Sequence, residues 1–233
     1  MTTLVIATRN THKVGEIRAI LGAQFQFQTL NDFPDAPKVV EDANTFAGNA
    51  AKKAVELARW LAEKHSTFNI QHSTPNFVLA DDSGLEVDAL NGAPCVHSAR
   101  FARSAGGSPA SSAGNTPDGD NNAKLLRLLA DVPLKNRTAR FRCVIALVAV
   151  PVGKIEVISP VCYADEFEPQ TFDGACEGRI ILTPRGKKGF GYDPLFVPVG
   201  YEQTFAELGD EVKNQLSHRA KALAKLKEYF STV

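Results

Sequence analysis

The stretch Phe77-Val78-Leu79-Ala80-Asp81-Asp82-Ser83-Gly84 passes from four apolar residues directly into two carboxylates. Its apolar half predicts a short strand buried on both faces, as in a sheet covered by helices. Carboxylates next to such a strand are costly to desolvate unless they are paired, hydrogen-bonded or bound to a cation. The alternative is an ordinary Asp turn in which Gly84 supplies a positive φ.

Strands and helices are mixed along the rest of the chain. Leu4–Ala7 predicts another short buried strand, residues 45–64 a long helix with one apolar stripe, and residues 139–150 a long strand. In the second half, strand candidates at 154–163 and 178–182 stand too close together for helical crossovers. Further elements are predicted at 14–21 (helix), 25–30 (strand), 124–130 (helix) and from 216 onward (helix). The pattern favours an α/β or α+β protein with a mixed sheet.

Composition excludes several classes of protein. The chain has 233 residues, with 26 Lys and Arg against 26 Asp and Glu, so it lacks the net positive charge of a duplex nucleic-acid binder. It shows no signal peptide and no membrane-length apolar stretch, which predicts a cytoplasmic protein without a membrane partner. The four cysteines are widely spaced and predict reduced thiols. Residues 104–122, rich in Gly, Ser, Ala, Asn and Pro, predict a flexible insertion.

A polar turn follows the first predicted strand and opens a helix. Backbone N–H groups at a helix N-terminus, together with Thr, Asn and Lys side chains, can hold phosphate. The glycines and the Gly-Lys-Ser/Thr ending of a Walker loop are missing. The alternative is that Asn10 or Thr11 only caps the helix and Lys13 is solvated. The six residues of the turn are Thr8, Arg9, Asn10, Thr11, His12 and Lys13.

A second acidic pair, Glu41-Asp42, also follows two apolar residues and could converge with Asp81 and Asp82. Oxygen ligands without His or Cys suit Mg²⁺, which takes one or two carboxylates plus phosphate and water. Asn49 and Lys53 are four residues apart and share one helix face near this acidic segment. A solvated Lys53 is the ordinary alternative.

Two further segments carry polar groups suited to a nucleotide. The Gly-rich basic loop at 183–194 could close over a polyphosphate, and Phe190 or Tyr192 could stack on a base; the alternative is a flexible hairpin tip. Ser217 could cap the last helix, with His218 and Arg219 placed to meet an anion or a base edge. No Ser/His/Asp order or nucleophile elbow indicates acyl chemistry.

Seven motifs follow one another along the chain: Thr8-x-Asn10-x-x-Lys13, Thr45-Phe46-x-x-Asn49-Ala50-x-x-Lys53-Ala54, residues 80–90, Gly92-Ala93-Pro94, Ser98-Ala99-Arg100, residues 189–194 and Ser217-His218-Arg219. In this order they closely resemble the inosine/xanthosine triphosphate pyrophosphatase family, nearly end to end. The resemblance implies one pyrophosphatase domain over residues 1–233, a two-lobed α/β fold with a long central mixed sheet flanked by helices, an active-site cleft between the lobes, and a homodimer.

The same resemblance implies roles for single residues. Asp82 would be the general base and, with Glu41, a Mg²⁺ ligand. Residues 8–13 and Lys53 would hold the phosphates of a purine nucleoside triphosphate, with Ser83 beside the substrate. The nucleoside pocket would consist of Phe190, Gly191, Tyr192, Asp193, Lys213, His218 and Arg219.

The implied reaction is attack of water on the α-phosphate of ITP, dITP or XTP, which yields nucleoside monophosphate and pyrophosphate and cleanses the nucleotide pool. Hydrogen-bond donors from Arg219, Lys213 or nearby backbone N–H groups would bind the oxygen at C6 of the base and disfavour adenine. Three segments depart from the family pattern. Arg9 replaces a small residue in the first turn, Cys95 and His97 replace a Gly and an aromatic residue in the turn at 92–100, and the insertion at 104–122 is longer than typical.

Two alternatives remain open. One is a pyrophosphatase of related fold that acts on modified or pyrimidine nucleotides. The other is a non-catalytic nucleotide sensor or an RNA-binding module. The Glu41 and Asp82 pair argues against the sensor, and the zero net charge argues against RNA binding.

Overall fold

The computed structural model describes residues 2–68, 77–103, 115–151 and 167–232, which form a mixed six-stranded sheet with flanking helices. The strands are β1 (Thr2–Ile6), β2 (Phe25–Thr29), β3 (Phe77–Val87), β4 (Thr138–Ala149), β5 (Gln170–Ile180) and β6 (Phe196–Pro198), in the spatial order β2-β1-β3-β4-β5-β6. The helices are α1 (Thr11–Leu21), α2 (Phe46–Phe68), α3 (Asp118–Leu128), α4 (Phe205–Leu208), α5 (Asp210–Leu216) and α6 (His218–Thr232). The predicted mixed sheet is therefore confirmed.

The chain divides into two compact units. The first unit comprises Met1–Asp82, Val144–Asp173 and Ala222–Val233, and the second comprises Ser83–Cys143 and Gly174–Lys221. The unit boundaries fall within β3, β4, β5 and α6, so each of these elements has residues in both units.

In the first unit, β1 pairs in parallel with both β2 and β3. Leu4 lies opposite Phe77 and Ile6 opposite Leu79; residues 4–6 are buried, and so are Val78 and Leu79, while Phe77 is partly exposed. Helix α2 covers its core with the predicted apolar stripe, Phe46, Ala50, Ala54, Leu57 and Leu61, all of which are buried. The register of β1 and β3 places the turn that follows β1 next to Asp81, which is how the fold positions the first part of the site.

The Asp-turn alternative for residues 81–84 is wrong. Strand β3 continues through both carboxylates as far as Val87, and Gly84 has extended backbone within it. The left-handed turn comes later, at Asn91 (φ 52°) and Gly92 (φ 84°). The carboxylates therefore lie inside a strand rather than at its mouth.

The predicted flexible insertion at 104–122 needs correction at its C-terminal end. Residues 118–122 form the start of α3, and Asn121 and Asn122 are buried. Their polar composition suggested a loop, but Asp118 and Asp120 in the first turn suit the positive end of a helix dipole. Residues 104–114, like the strand candidate at 154–163, lie outside the described residues.

Residues 196–216 contain a short strand and two helices that the sequence analysis did not predict. Thr204 caps α4 and forms a capping box with Glu207, a sequence pattern that indicates the start of a helix.

Within the described part of the chain, Cys95, Cys143 and Cys176 form no disulfide, and Cys162 lies outside it. None of the described helices has the length and apolarity needed to cross a bilayer.

The core of the second unit is centred on aromatic rings. The Phe141 ring lies 4.7 Å from that of Phe196, which in turn lies 5.3 Å from that of Phe205. Strand β6 pairs antiparallel with β5, with Gly178 opposite Pro198. A Cβ at Gly178 would lie 2.5 Å from the Phe196 ring and also against the Val197 carbonyl oxygen. Because Gly178 has no side chain, the Phe196 ring can pack against β5.

We expect Gly178→Ala to lower the free energy of unfolding by about 1–3 kcal/mol, because the new methyl group overpacks the β5–β6 pair. Gly15→Ala is the matched control. Gly15 lies inside α1 with open space where a methyl group would project, so alanine there should stabilise the protein by up to about 1 kcal/mol. Urea denaturation measures the free energy of unfolding of both variants. An unchanged value for Gly178→Ala would contradict the close packing of Phe196 against Gly178.

Candidate functional site

The turn between β1 and α1 is a helix cap. Asn10 Oδ1 accepts hydrogen bonds from the backbone N–H groups of His12 (3.0 Å) and Lys13 (3.2 Å), and Thr8 Oγ1 accepts one from Asn10 N–H (3.1 Å). The capping alternative for Asn10 is therefore correct. Because Asn10 occupies two of the helix N-terminal donors, the predicted phosphate cradle would have to rely more on side chains than on these N–H groups.

Lys13 is not the solvated first-turn residue of the alternative interpretation. Its ammonium nitrogen lies 3.1 Å from Asp81 Oδ1, and the Asp81 side chain is almost fully buried. This contact joins the start of α1 to β3. It also supplies the partner that a buried carboxylate needs.

Lys53, on α2, joins both acidic segments. Its ammonium nitrogen lies 2.8 Å from Glu41 Oε1 and 3.6 Å from Asp82 Oδ1, and it donates to the Asp81 carbonyl oxygen at 2.7 Å. Burial lowers the pKa of Lys53, but the negative charges of Asp82, Glu41 and Asp81 outweigh burial, and the pKa is raised. The predicted convergence of Glu41 and Asp82 is therefore present, with one protonated amine between them.

Asn49 belongs to the same cluster and was absent from the predicted site residues. Its Nδ2 donates to Asp82 Oδ2 at 3.0 Å, and its Oδ1 accepts from Ala43 N–H at 3.0 Å. The side chain is buried, so both hydrogen bonds are fixed. The available signal was its spacing of four residues from Lys53, which puts both on one face of α2.

Asp82 is a buried and oriented carboxylate. Burial raises the pKa of Asp82, although the positive charges of Lys53 and Lys13 act in the opposite direction. One carboxylate oxygen is held by Asn49 and the other faces Lys53. A carboxylate of this kind accepts a proton more readily than an exposed one.

The donor set of this cluster suits a hard cation in part. Glu41 and Asp82 supply oxygen atoms to a common positive charge, as two Mg²⁺ ligands would. Within residues 2–68, 77–103, 115–151 and 167–232, no group of three or more His, Cys, Asp or Glu is arranged to hold a metal. A magnesium ion bound here would therefore need phosphate oxygens or water to complete its coordination.

A pocket of about 180 Å³ lies beside these residues in the first unit. Its polar wall contains two further cations, Arg9 and Lys38, which are exposed and form no ion pair within the described part of the chain. Lys38 was not predicted, because a single lysine in a Pro-rich loop carries no distinctive spacing. The other polar lining residues are Thr8, Glu41 and Lys53.

In the second unit, the predicted pocket residues Asp193 and Lys213 form a buried ion pair with an N···O distance of 2.6 Å. Asp193 Oδ2 also accepts from Phe190 N–H at 2.9 Å, and the Lys213 ammonium lies 4.4 Å from the centroid of the Phe190 ring. The pair thus holds Phe190, whose own side chain is partly exposed. Both charged residues support the loop rather than present their charge to solvent.

Of the two aromatic residues proposed to stack on a base, the geometry favours Phe190. Tyr192 is 3% exposed, and its hydroxyl donates to the Ser98 carbonyl oxygen at 2.9 Å. Burial is the main cause of its raised phenol pKa. Tyr192 therefore anchors the loop in the core, and Gly191 (φ 62°) connects the two rings.

Ser83, His218 and Arg219 also occupy defined positions in the second unit. Arg219 Nη2 donates to Ser83 Oγ at 2.9 Å, and Arg219 has 0% exposure, so a ligand could reach it only after a rearrangement. The buried His218 ring stacks on Phe141 at 4.9 Å. The predicted capping role of Ser217 is correct, since its hydroxyl accepts from Ala220 N–H. The expected direct contact of Arg219 or Lys213 with a base oxygen has no support in this arrangement.

The basic loop at 183–194 is anchored at its start. Arg185 donates to the Glu202 carbonyl oxygen at 2.6 Å and lies 3.5 Å from Glu207. Gly186, with φ 85°, lies against the backbone of Ala206, where no side chain would fit. Arg185 is exposed but is paired within the second unit. Lys187 and Lys188 are also exposed, and neither forms an ion pair with another described residue.

Comparison with known proteins gives a consistent result along nearly the whole chain. Residues 4–229 match the Ham1 family. The dITP/XTP pyrophosphatase of Desulforamulus reducens is 47% identical over 226 residues, which cover 97% of this chain and 94% of that protein. The dITP/XTP pyrophosphatase of Geobacter sulfurreducens is 47% identical over 230 residues, which cover 98% and 96%.

Solved structures agree with the sequence comparison. A HAM1 protein from Coxiella burnetii superposes with a TM-score of 0.74 at 32% identity, and the match covers 100% of both chains. The Staphylococcus aureus Ham1 protein gives a TM-score of 0.73 at 32% identity and covers 99% of both chains. Sequence motifs, fold and family match therefore lead to one conclusion: the chain belongs to the Ham1 family.

Proposed function

We propose that this chain is an enzyme that hydrolyses the non-canonical purine nucleotides ITP, dITP and XTP to nucleoside monophosphate and pyrophosphate, and so cleanses the nucleotide pool. The observation that carries the proposal is the convergence of Glu41 and Asp82 on the Lys53 ammonium group. Family membership and relatives named dITP/XTP pyrophosphatases support the same activity.

Phosphate binding is assigned to the cations of the first unit. Lys13 and Lys53 are held in place by buried carboxylates, so little ordering is needed when a substrate binds. Arg9 and Lys38 line the adjacent pocket and supply positive charge that is not committed to an ion pair with any other described residue. Fixed cations stabilise the negative charge that develops on a leaving pyrophosphate.

Asp82 is proposed as the general base. Its carboxylate is oriented by Asn49, and burial raises its pKa, so it is suited to take the proton of an attacking water molecule. The positive charge of Lys53 opposes that rise. Asn49 is thus a positioning residue for the proposed base.

The oxygen donors Glu41 and Asp82 would hold a magnesium ion. When bound, Mg²⁺ would neutralise phosphate charge and lower the pKa of water. Glu41 and Asp82 would supply the two protein carboxylates of this site, and the substrate would supply further ligands to the ion.

In the second unit, Phe190 is proposed to stack on the purine, since its ring is partly exposed and its backbone is fixed by Asp193. Lys213 and Arg219 contribute by holding Phe190 and Ser83 in place. We also propose that residues 1–233 act as one catalytic domain, and that the enzyme is a cytoplasmic homodimer.

The function is tested by measuring pyrophosphate release from ITP, dITP, XTP, ATP and a pyrimidine triphosphate, with and without Mg²⁺. We expect rapid release from the first three, much slower release from ATP, and none after chelation of the metal. Binding without turnover would favour the nucleotide sensor. A preference for pyrimidine or modified nucleotides would favour the pyrophosphatase of related fold.

Asp82→Asn should reduce kcat by about 10²–10⁴-fold while the protein stays folded, because the amide cannot accept the proton. Asp42→Asn is the matched control: Asp42 adjoins Glu41 but is exposed and pairs with Lys52 at 2.7 Å. Its loss should leave kcat within about twofold, as expected for an exposed ion pair. Full activity of Asp82→Asn at saturating Mg²⁺ would refute the assignment.

A further inference from the structure

We propose that Asp118 and Asn122, at the start of α3, are positioning residues that fix the nucleoside pocket and set its selectivity for the base. The inference rests on the proposed function, because it takes the loop at Phe190–Asp193 to be the part of the pocket that meets the base. Neither residue was among the predicted site residues.

The two side chains hold both polar groups of Gly191. Gly191 N–H donates to Asp118 Oδ2 at 2.6 Å, and Asn122 Nδ2 donates to the Gly191 carbonyl oxygen at 3.0 Å. Asp118 and Asn122 are four residues apart in α3, so they project from the same helix face. One helix turn thus binds the amide on each side of the Gly191 Cα.

The two hydrogen bonds matter at Gly191 because little else restrains its backbone conformation. Its φ is 62°, and a Cβ placed on its Cα would have no atom within 4 Å, so packing does not define its conformation. Glycine is also the residue with the widest choice of backbone angles. The two hydrogen bonds from α3 therefore restrict a peptide that would otherwise have many conformations.

Helix α3 is a firm support for this contact. Leu125 is fully buried in the core of the second unit, and Asn121 Oδ1 accepts from Ala102 N–H at 2.7 Å. The Asp118 carboxylate lies in the first helical turn, where the helix dipole favours negative charge. A short hydrogen bond to a carboxylate is stronger than one between neutral groups.

The neighbours of Gly191 are fixed from other directions. Phe190 N–H is bound by Asp193, and the Tyr192 hydroxyl is bound by the Ser98 carbonyl oxygen. The remaining freedom of the Phe190 ring depends on the peptide between them, which Asp118 and Asn122 hold. Loss of either contact should loosen this peptide and weaken binding of the preferred base, so that the pocket discriminates less between ITP and ATP.

The test compares kcat/KM for ITP and for ATP in the full-length protein. Asp118→Ala removes the acceptor, and Asn122→Asp replaces the donor with an acceptor of the same shape. Each should narrow the ITP-to-ATP ratio roughly tenfold, through a larger loss on ITP that appears mainly in KM. Asp118→Asn keeps an acceptor oxygen and should restore most of the ratio.

Asp120→Ala is the matched control, because it removes an exposed carboxylate from the same helical turn. Within the described residues, the Asp120 side chain makes no hydrogen bond or ion pair with the loop, so the ITP-to-ATP ratio should stay within about twofold of wild type. Equal losses on ITP and ATP in Asp118→Ala and Asn122→Asp would indicate a purely structural role and overturn the inference. Failure of the proposed function would be seen separately, as absence of ITP hydrolysis by the wild-type protein.

Discussion

Asp81 and Asp82 are buried in a strand of the sheet, and the lysines beside them make that burial possible. Burying a carboxylate without a partner costs several kcal/mol, and β3 carries two buried carboxylates in succession. Lys13 compensates Asp81, while Lys53 compensates Asp82 and draws Glu41 to the same position. The helices that carry these lysines are thereby fixed against the sheet. The chemistry we propose depends on this fixed arrangement of charge, because every cation assigned to phosphate binding is placed on or beside it.

The second unit uses charge in the same way but for a different purpose. The Asp193–Lys213 pair is fully enclosed and holds the backbone and ring of Phe190. Arg219 is enclosed as well, and one of its nitrogen atoms fixes the Ser83 hydroxyl. Residues that resemble ligand contacts in the sequence act here as supports for partly exposed groups. This difference matters for mutagenesis, since loss of a support alters pocket shape rather than a direct contact.

Local patterns in the sequence predicted the sheet, the apolar stripe of α2 and the meeting of Glu41 with Asp82. Those features depend on periodicity and on the cost of burying charge, which can be read from neighbouring residues. The burial of Tyr192 could not be predicted from the sequence, because aromatic residues are equally suited to a core and to a binding loop. Asp118 and Asn122 were missed since their partner, Gly191, is remote in sequence and bonded through its backbone. For Asn49, the sequence showed the spacing of four residues from Lys53 but not the hydrogen bond to Asp82.

The central claim is that water attacks the α-phosphorus, with pyrophosphate as the leaving group. Single-turnover hydrolysis of dITP in ¹⁸O-labelled water, followed by mass spectrometry of both products, tests it most directly. The arrangement of Asp82, Lys13 and Lys53 predicts that the label enters the nucleoside monophosphate and that pyrophosphate is released unlabelled. Label in pyrophosphate, or orthophosphate as the first product, would contradict this mechanism.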